Sequence, residues 1–162
     1  MEDKRITKTK RALKSALLEL LTTQAFDVIS ITELCKIANV SRITFYTHYK
    51  DKFALLDDIF NDMLIIGKEG YHRRQEENNP ENNLTQGYLN VLDSILSLYY
   101  ERYDFFQHVV PETNPYLAFR FYRILLDTVE SHTDKLKASY SLKYSARQIA
   151  GFICFGLFGF IS

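Results

Sequence analysis

The chain has 162 residues with 20 Lys/Arg and 20 Asp/Glu, a length that suits one large helical domain or two small ones. Residues 1–52 hold ten basic and six acidic side chains, whereas residues 53–162 hold ten and fourteen, so a polyanion contact is expected at the N-terminal end. Two cysteines exclude a disulfide framework. The apolar run 149–161 is shorter than the ~20 residues of a membrane span, and no signal-peptide pattern is present. We therefore expect a cytoplasmic protein without membrane contact.

Apolar residues recur at helical spacing along the chain and alternating apolar runs are absent, which predicts an all-α protein. The first predicted helix covers about Lys8 to Gln24. Its apolar stripe consists of Leu13, Ala16, Leu17, Leu20 and Leu21.

Residues 30–52, SITELCKIANVSRITFYTHYKDK, predict two short helices joined by a tight turn and followed by the start of a third. Ser30 and Glu33 have the spacing of a capping box. Asn39 stands where the chain must turn, and asparagine tolerates the left-handed conformation found there. This pattern predicts a helix-turn-helix.

The second short helix is predicted to begin after the N-cap Ser41 and to run from Arg42 to about Tyr49. Phe45 and Tyr49 lie one turn apart and are expected to face inward. The opposite face is small, aromatic and hydrogen-bonding, which suits a DNA major groove. The predicted DNA contacts on this helix are Ser41, Arg42, Ile43, Thr44, Tyr46, Thr47 and His48. Tyr46 and His48 are expected at phosphates, which receive the larger share of protein–DNA hydrogen bonds.

A longer helix is predicted from Asp51 and Lys52 to about Arg74. Lys52 is expected to bind phosphate, because the helix dipole and free amides near it already favour an anion. The polar stretch 76–83 predicts a loop. Further helices are predicted at about 84–100, 105–109, 116–136 and from 146 to the end.

Sixteen of the 23 aromatic residues lie beyond this loop. Each could simply pack in the core, but as a set they predict a cavity for a planar or lipophilic effector, because tyrosine combines apolar area with a hydroxyl that needs a partner. The predicted lining is Tyr99, Tyr103, Phe106, Phe119 and Tyr122.

No catalytic or cofactor signature is present. His108, Glu112 and His132 could be imagined as a metal site, but Pro111 disturbs the turn between the first two and no recognised ligand spacing appears. We therefore expect neither an enzyme nor a bound metal or cofactor.

The last predicted helix carries apolar side chains around most of its surface, including Phe152, Phe155, Phe158, Phe160 and Ile161. Such a helix is either a buried core helix or a dimer-forming helix. Because terminal helices normally turn a polar face to water, we also expect that Ser162 is not the natural C-terminus.

Residues 8 to about 64 resemble the TetR/AcrR family of bacterial transcriptional regulators. The resemblance lies in the capped first helix, the Phe45–Tyr46 pair of the helix-turn-helix and the link Tyr49-Lys50-Asp51-Lys52 before Leu55-Leu56. It implies a DNA-binding domain over 1–52, joined through helix 52–74 to an effector-binding and dimerisation domain over 53–162.

The resemblance further implies a homodimer that binds double-stranded DNA, most often as a repressor released by a small apolar or aromatic effector. By the same resemblance, the last two helices of each subunit would together form a four-helix dimer interface. Thr32 stands where the family often has a basic phosphate contact, and Ile43 could pack on a thymine methyl. The alternative is a protein-interaction module or coactivator of the same fold, responding to a partner protein.

Overall fold

The computed structural model describes residues 4–136 and 141–161, and the regular structure of these residues is entirely helical. The predicted all-α fold class is therefore confirmed. The prediction for the last helix also named Phe158, Phe160 and Ile161, whose side chains lie outside the described part of the structure. Ser162 lies outside it entirely. The described helices are α1 (Lys4–Leu21), α2 (Ile31–Ala38), α3 (Arg42–His48), α4 (Lys52–Asn78), α5 (Leu84–Glu101), α6 (Tyr103–Phe106), α7 (Pro115–Leu136) and α8 (Ala146–Ile161), with a 3₁₀ turn at Phe26–Val28.

Two helix boundaries differ clearly from the sequence prediction. Helix α1 begins at Lys4 rather than Lys8, because lysine and arginine are good helix formers even without an apolar stripe. Helix α4 continues to Asn78, past the polar residues that predicted a loop. Glutamine and glutamate also favour helix, and the chain turns only where Asn79 ends α4.

The N-terminal helices α1 to α3 and the first turns of α4 share one core. Leu13, Leu17, Leu34, Phe45 and Leu55 are fully buried in it. Each such side chain contributes about 1.5–3 kcal/mol relative to an exposed one. This core fixes the orientation of α3 against α1 and α4.

The C-terminal half is built from α4, α5, α7 and α8, in which α4 packs on α5 and α7 packs on α8. The end of α4 is held to α5 by an amide cluster around Asn90, which is fully buried. The Asn90 amide donates to Gln75 and Asn78, and its oxygen accepts from Asn78 and Gln86. Because all members are paired, the cluster fixes the register of the two helices.

The 3₁₀ turn joins the two halves of the molecule. The Phe26 backbone N–H donates to Asn114 Oδ1 at 2.7 Å, just before α7. The Phe26 ring stacks on Tyr116 with centroids 5.6 Å apart, and Phe53 meets both rings edge-on. Helices α4 and α7 are also linked by an ion pair between Asp57 and Arg120. The start of α7 is therefore in direct contact with the helix-turn-helix half.

Among the described residues, no helix is both long and apolar enough to cross a lipid bilayer.

Candidate functional site

The helix-turn-helix is formed by local capping interactions that the sequence predicted. Ser30 Oγ accepts from the Glu33 N–H at 3.2 Å, and the Glu33 carboxylate accepts from the Ser30 N–H at 2.9 Å. Asn39 is left-handed, with φ 53°. Ser41 Oγ accepts from the Thr44 N–H at 3.0 Å and so begins α3. Two capped ends and one left-handed residue fix the angle between α2 and α3.

Helix α3 has one buried and one exposed face. Phe45 and Tyr49 are buried, as the spacing predicted, whereas Ile43 is 80 % exposed and Tyr46 is 49 % exposed. The other predicted contacts on this helix are exposed or half-buried: Ser41, Arg42 and Thr47 are exposed, and Thr44 and His48 are half-buried. Thr32 is exposed on the first turn of α2. Each of these predicted contacts on α2 and α3 is therefore at least partly accessible to solvent.

Tyr49 anchors the end of α3 to the body of the protein. Its hydroxyl donates to Asp58 Oδ2 on α4 at 2.6 Å, and Lys14 of α1 lies 3.1 Å from the same carboxylate. Burial raises the pKa of Asp58, but the Tyr49 hydroxyl and the ammonium groups of Lys14 and Lys10 together lower it by more, so the net pKa is below the usual value. The charged carboxylate therefore ties α1, α3 and α4 together.

Lys52 does not present a free ammonium to a phosphate, which differs from the expectation. Its Nζ donates to the carbonyl oxygens of Phe26, Asp27 and Ile29 at 2.7–2.9 Å. It also lies 4.9 Å from the centre of the Phe26 ring. Burial lowers its pKa, although the nearby carboxylates of Asp27 and Glu33 act in the opposite direction. All three donors of the ammonium are engaged, so the geometry gives Lys52 the role of holding the 3₁₀ turn against α4.

A cavity of about 530 Å³ lies between α4, α5 and α7. Its innermost end is apolar and includes the buried side chains of Phe60, Met63, Phe106 and Phe121. Towards the other end it is bordered by Ser94 and Thr128 and then by Tyr71 and His132. Lys68, His72, Asp127, Ser131 and Lys135 complete the polar part of the lining. A cavity with an apolar end and a polar end is suited to an amphipathic small molecule.

Of the five predicted pocket residues, only Phe106 lines this cavity. Tyr99 packs on Phe106 from outside it. Tyr103 and Phe119 are more than half exposed, and Tyr122 contacts Phe155 of α8 with ring centroids 5.4 Å apart. Tyr99, Tyr103, Phe119 and Tyr122 therefore do not line this cavity, because α7 turns its 121–125–128–132 face to α4 and α5 rather than its 119–122 face.

The polar end of the cavity contains two residues that the pocket prediction missed. The Tyr71 hydroxyl lies 3.3 Å from His132 Nδ1, and His132 Nε2 is buried without a partner among the described residues. Burial, together with the charge of Lys135, lowers the pKa of His132, so its ring is neutral near pH 7. The signal in the sequence was the spacing of His132 at 11 residues after Phe121, which is three helical turns. Among the described residues, no group of three or more His, Cys, Asp or Glu is placed to hold a metal ion.

A second apolar surface lies on α7 and α8. Phe152 and Phe155 of α8 are 84 % and 69 % exposed, and Phe119 of α7 is also exposed. A Cβ added at Gly151 or Gly156 would meet nothing within 4 Å. These residues form an accessible aromatic face with small residues beside it, which is unusual for a surface that stays in water.

A helix-turn-helix joined by one long helix to a helical domain with a cavity is the fold of TetR-family transcriptional regulators, and the resemblance inferred from the sequence is confirmed at the level of fold. The chain is similar to the solved structure of the dihydroxyacetone kinase operon activator DhaS, with TM-score 0.57 and 23% identity over 94% of this chain and 84% of that one. It is equally similar to a TetR transcriptional regulator from Streptococcus agalactiae 2603V, with TM-score 0.57 and 21% identity over 98% of this chain and 83% of that one.

In sequence, the chain is 40% identical over 58 residues to YxbF of Bacillus subtilis (strain 168), an uncharacterised HTH-type transcriptional regulator. The match covers 36% of this chain and only 14% of the length of YxbF. No protein-family model matches the chain.

Proposed function

We propose that this protein is a TetR-type transcriptional regulator that binds operator DNA as a homodimer and responds to a small molecule. The observation that carries the proposal is the exposed face of α3, held by its caps and by the Tyr49–Asp58 hydrogen bond on a folded helical body. The fold shared with regulators and the sequence similarity to YxbF support the same function.

In this proposal, α3 enters the DNA major groove. Arg42, Thr44 and Tyr46 would contact base edges or phosphates, and Ile43 would pack on a thymine methyl, giving a preference for an A·T pair. Ser41, Thr47, His48 and Thr32 lie at the edge of this surface and would contact the backbone. The basic excess of residues 1–52 adds a sequence-independent attraction to phosphate.

The aromatic face of α7 and α8 is the proposed dimer interface. Phe119, Phe152 and Phe155 expose apolar area that a second copy would bury, and each fully buried phenylalanine contributes about 1.5–3 kcal/mol. A two-fold dimer would place two α3 helices in successive major grooves about 34 Å apart, on a pseudopalindromic site.

The cavity between α4, α5 and α7 is the proposed effector site, since its volume falls within the roughly 300–1,000 Å³ of small-molecule pockets. A coupling of only about 1–3 kcal/mol between effector and DNA would alter DNA affinity 5- to 150-fold. The same cavity favours a small molecule over the alternative of a partner protein, for which a filled core would suffice. In this proposal the effector releases the protein from its operator, as in a repressor. One protein of the same fold, DhaS, is named an activator.

The test is DNA binding by the purified protein, with fragments of the DNA next to its own gene. Tyr46→Ala should weaken binding by about 1–3 kcal/mol, or roughly 5- to 150-fold, while unfolding stays unchanged because the side chain is half exposed. Tyr100→Ala is the matched control, because Tyr100 is exposed on α5, away from α3, and should bind as the parent does. Failure of the parent to bind any such fragment, with and without candidate ligands, would refute the proposal.

A further inference from the structure

We propose that the effector of the interhelical cavity is an amphipathic organic acid, with an apolar or aromatic body at the Phe60–Phe106–Phe121 end and a carboxylate beside Lys68 and Lys135. This inference rests on the proposed effector site. It adds the chemical class of the ligand and the direction in which it lies.

The body of the ligand is defined by the apolar end of the cavity. Phe60 and Phe121 stack with centroids 6.5 Å apart, and Phe106 meets Phe121 at 4.9 Å. These three rings are buried and offer a wall without a free polar group. A ligand covering them would remove apolar surface from water, which favours an alkyl or aryl body there.

The middle of the cavity has no free donor for an anion. The Ser94 hydroxyl donates to the Asn90 carbonyl at 2.7 Å, and the Thr128 hydroxyl donates to the Ile124 carbonyl at 2.7 Å. Both protons are therefore used within their own helices. An anionic group placed here would lose its hydration without gaining a hydrogen bond, so its place is at the polar end.

The polar part of the lining carries two exposed lysines, Lys68 on α4 and Lys135 on α7. Lys68 and Lys135 have no ion-pair partner among the described residues. Asp127, the carboxylate in the same lining, lies 3.8 Å from Arg147, which also pairs with Glu130 at 2.7 Å. Asp127 and Glu130 are thus already engaged with a cation on α8.

The positive charge of Lys135 also acts on His132, which lies in the cavity lining. Its pKa is lowered first by burial and then by the charge of Lys135. A ligand carboxylate near Lys135 would offset that charge, whereas a ligand ammonium would add to it. The neutral ring and the Tyr71 hydroxyl remain as hydrogen-bonding groups beside the head group.

The test uses three probes with one body, 6-phenylhexanoate, 6-phenylhexan-1-ol and 6-phenylhexylamine, titrated into the full chain by calorimetry at pH 7. The acid should bind about tenfold more tightly than the alcohol, a difference of about 1.4 kcal/mol, and the amine most weakly. Lys68→Ala and Lys135→Ala should each weaken the acid severalfold and leave the alcohol unchanged. Lys143→Ala, an exposed lysine outside the lining, should change neither.

The location is tested separately by Gly67→Leu. A Cβ at Gly67 would lie 3.6 Å from Leu98 Cδ2, an ordinary contact, while the rest of the leucine would occupy the cavity. Binding of the acid and of the alcohol should both be lost. Equal or tighter binding of the alcohol or amine, an acid affinity insensitive to both lysines, or unchanged binding by Gly67→Leu overturns the inference.

Failure of this inference can be told apart from failure of the proposed function by measuring DNA binding without any probe. A protein that binds its upstream DNA but none of the three probes refutes the organic-acid effector alone. A protein that binds the acid as described but no DNA refutes the regulator and leaves the cavity chemistry standing.

Discussion

Replacement of Lys52 by methionine separates the role that the structure gives this residue from the role expected of a lysine at this position. The ammonium holds three backbone carbonyls of the 3₁₀ region, and the side chain is only partly exposed. Methionine keeps the apolar stem against Phe26 and Phe53 but removes every donor. The change therefore tests the three hydrogen bonds with little loss of packing.

The expected cost follows from those bonds. A hydrogen bond from a charged group contributes about 1.5–3 kcal/mol, but the three share one ammonium whose desolvation opposes them. Two of the three contacts are part-buried and one is exposed, so water can replace some of what is lost. We expect the free energy of unfolding to fall by about 2 kcal/mol, which for a chain of this size lowers the melting temperature by roughly 4–8 °C.

The assay is urea denaturation at fixed protein concentration, because the proposed dimerisation would make apparent stability concentration-dependent. Lys50→Met is the control, since Lys50 is exposed and its change should stay within about 0.5 kcal/mol. DNA affinity of the Lys52 variant should keep the salt dependence of the parent. Unchanged stability with a salt slope smaller by about one unit would instead identify Lys52 as a phosphate contact and refute the structural role.

Three further changes test other parts of the structure. Because the pKa of Asp58 is lowered in the folded protein, its carboxylate stabilises the fold at pH values above the unfolded pKa of about 3.9. This stabilisation is lost as pH falls through the folded pKa, so the difference in urea midpoint between the parent and Asp58→Asn should shrink below about pH 4. Asn90→Ala should cost about 2–3 kcal/mol in the same denaturation assay, because it leaves buried amide partners unpaired, whereas the exposed Asn61→Ala should cost little. Phe155→Glu should convert a dimer to a monomer in light scattering, while Leu89→Glu, on α5, should not; a monomeric parent would contradict the proposed interface.

The helix-turn-helix could be predicted from the sequence because short-range interactions determine it. Ser30 with Glu33, Asn39 and Ser41 each act on backbone groups within three or four residues of themselves. Such interactions depend on residue type and spacing, both of which the sequence shows directly. The inward direction of Phe45 and Tyr49 follows from the same helical period.

The cavity lining and the role of Lys52 depend on long-range packing, which one sequence does not show. Helix α7 has aromatic residues on two faces, and spacing alone does not tell whether Phe119 or Phe121 faces α4. The partners of Lys52 are backbone carbonyls 23 to 26 residues earlier in the chain. Every residue has a backbone carbonyl, so the sequence does not show which of them will accept a hydrogen bond. A lysine that donates to three carbonyls therefore cannot be told from the sequence alone from one that binds phosphate.

Two physical connections link the cavity to the helix-turn-helix half of the molecule. Helix α4 carries Phe60 and Tyr71 in the cavity wall, and its Asp58 accepts a hydrogen bond from Tyr49 of α3. A shift of α4 at the cavity would therefore also move the residue that holds the end of α3. Helix α7 carries His132 at the cavity, and the Asn114 side chain just before its start holds the Phe26 N–H. Because close-packed elements shift as units rather than deform continuously, a ligand that separates α4 from α7 must strain the Phe26 junction or move it. The 3₁₀ turn held by Lys52 is thus the element at which the two connections meet.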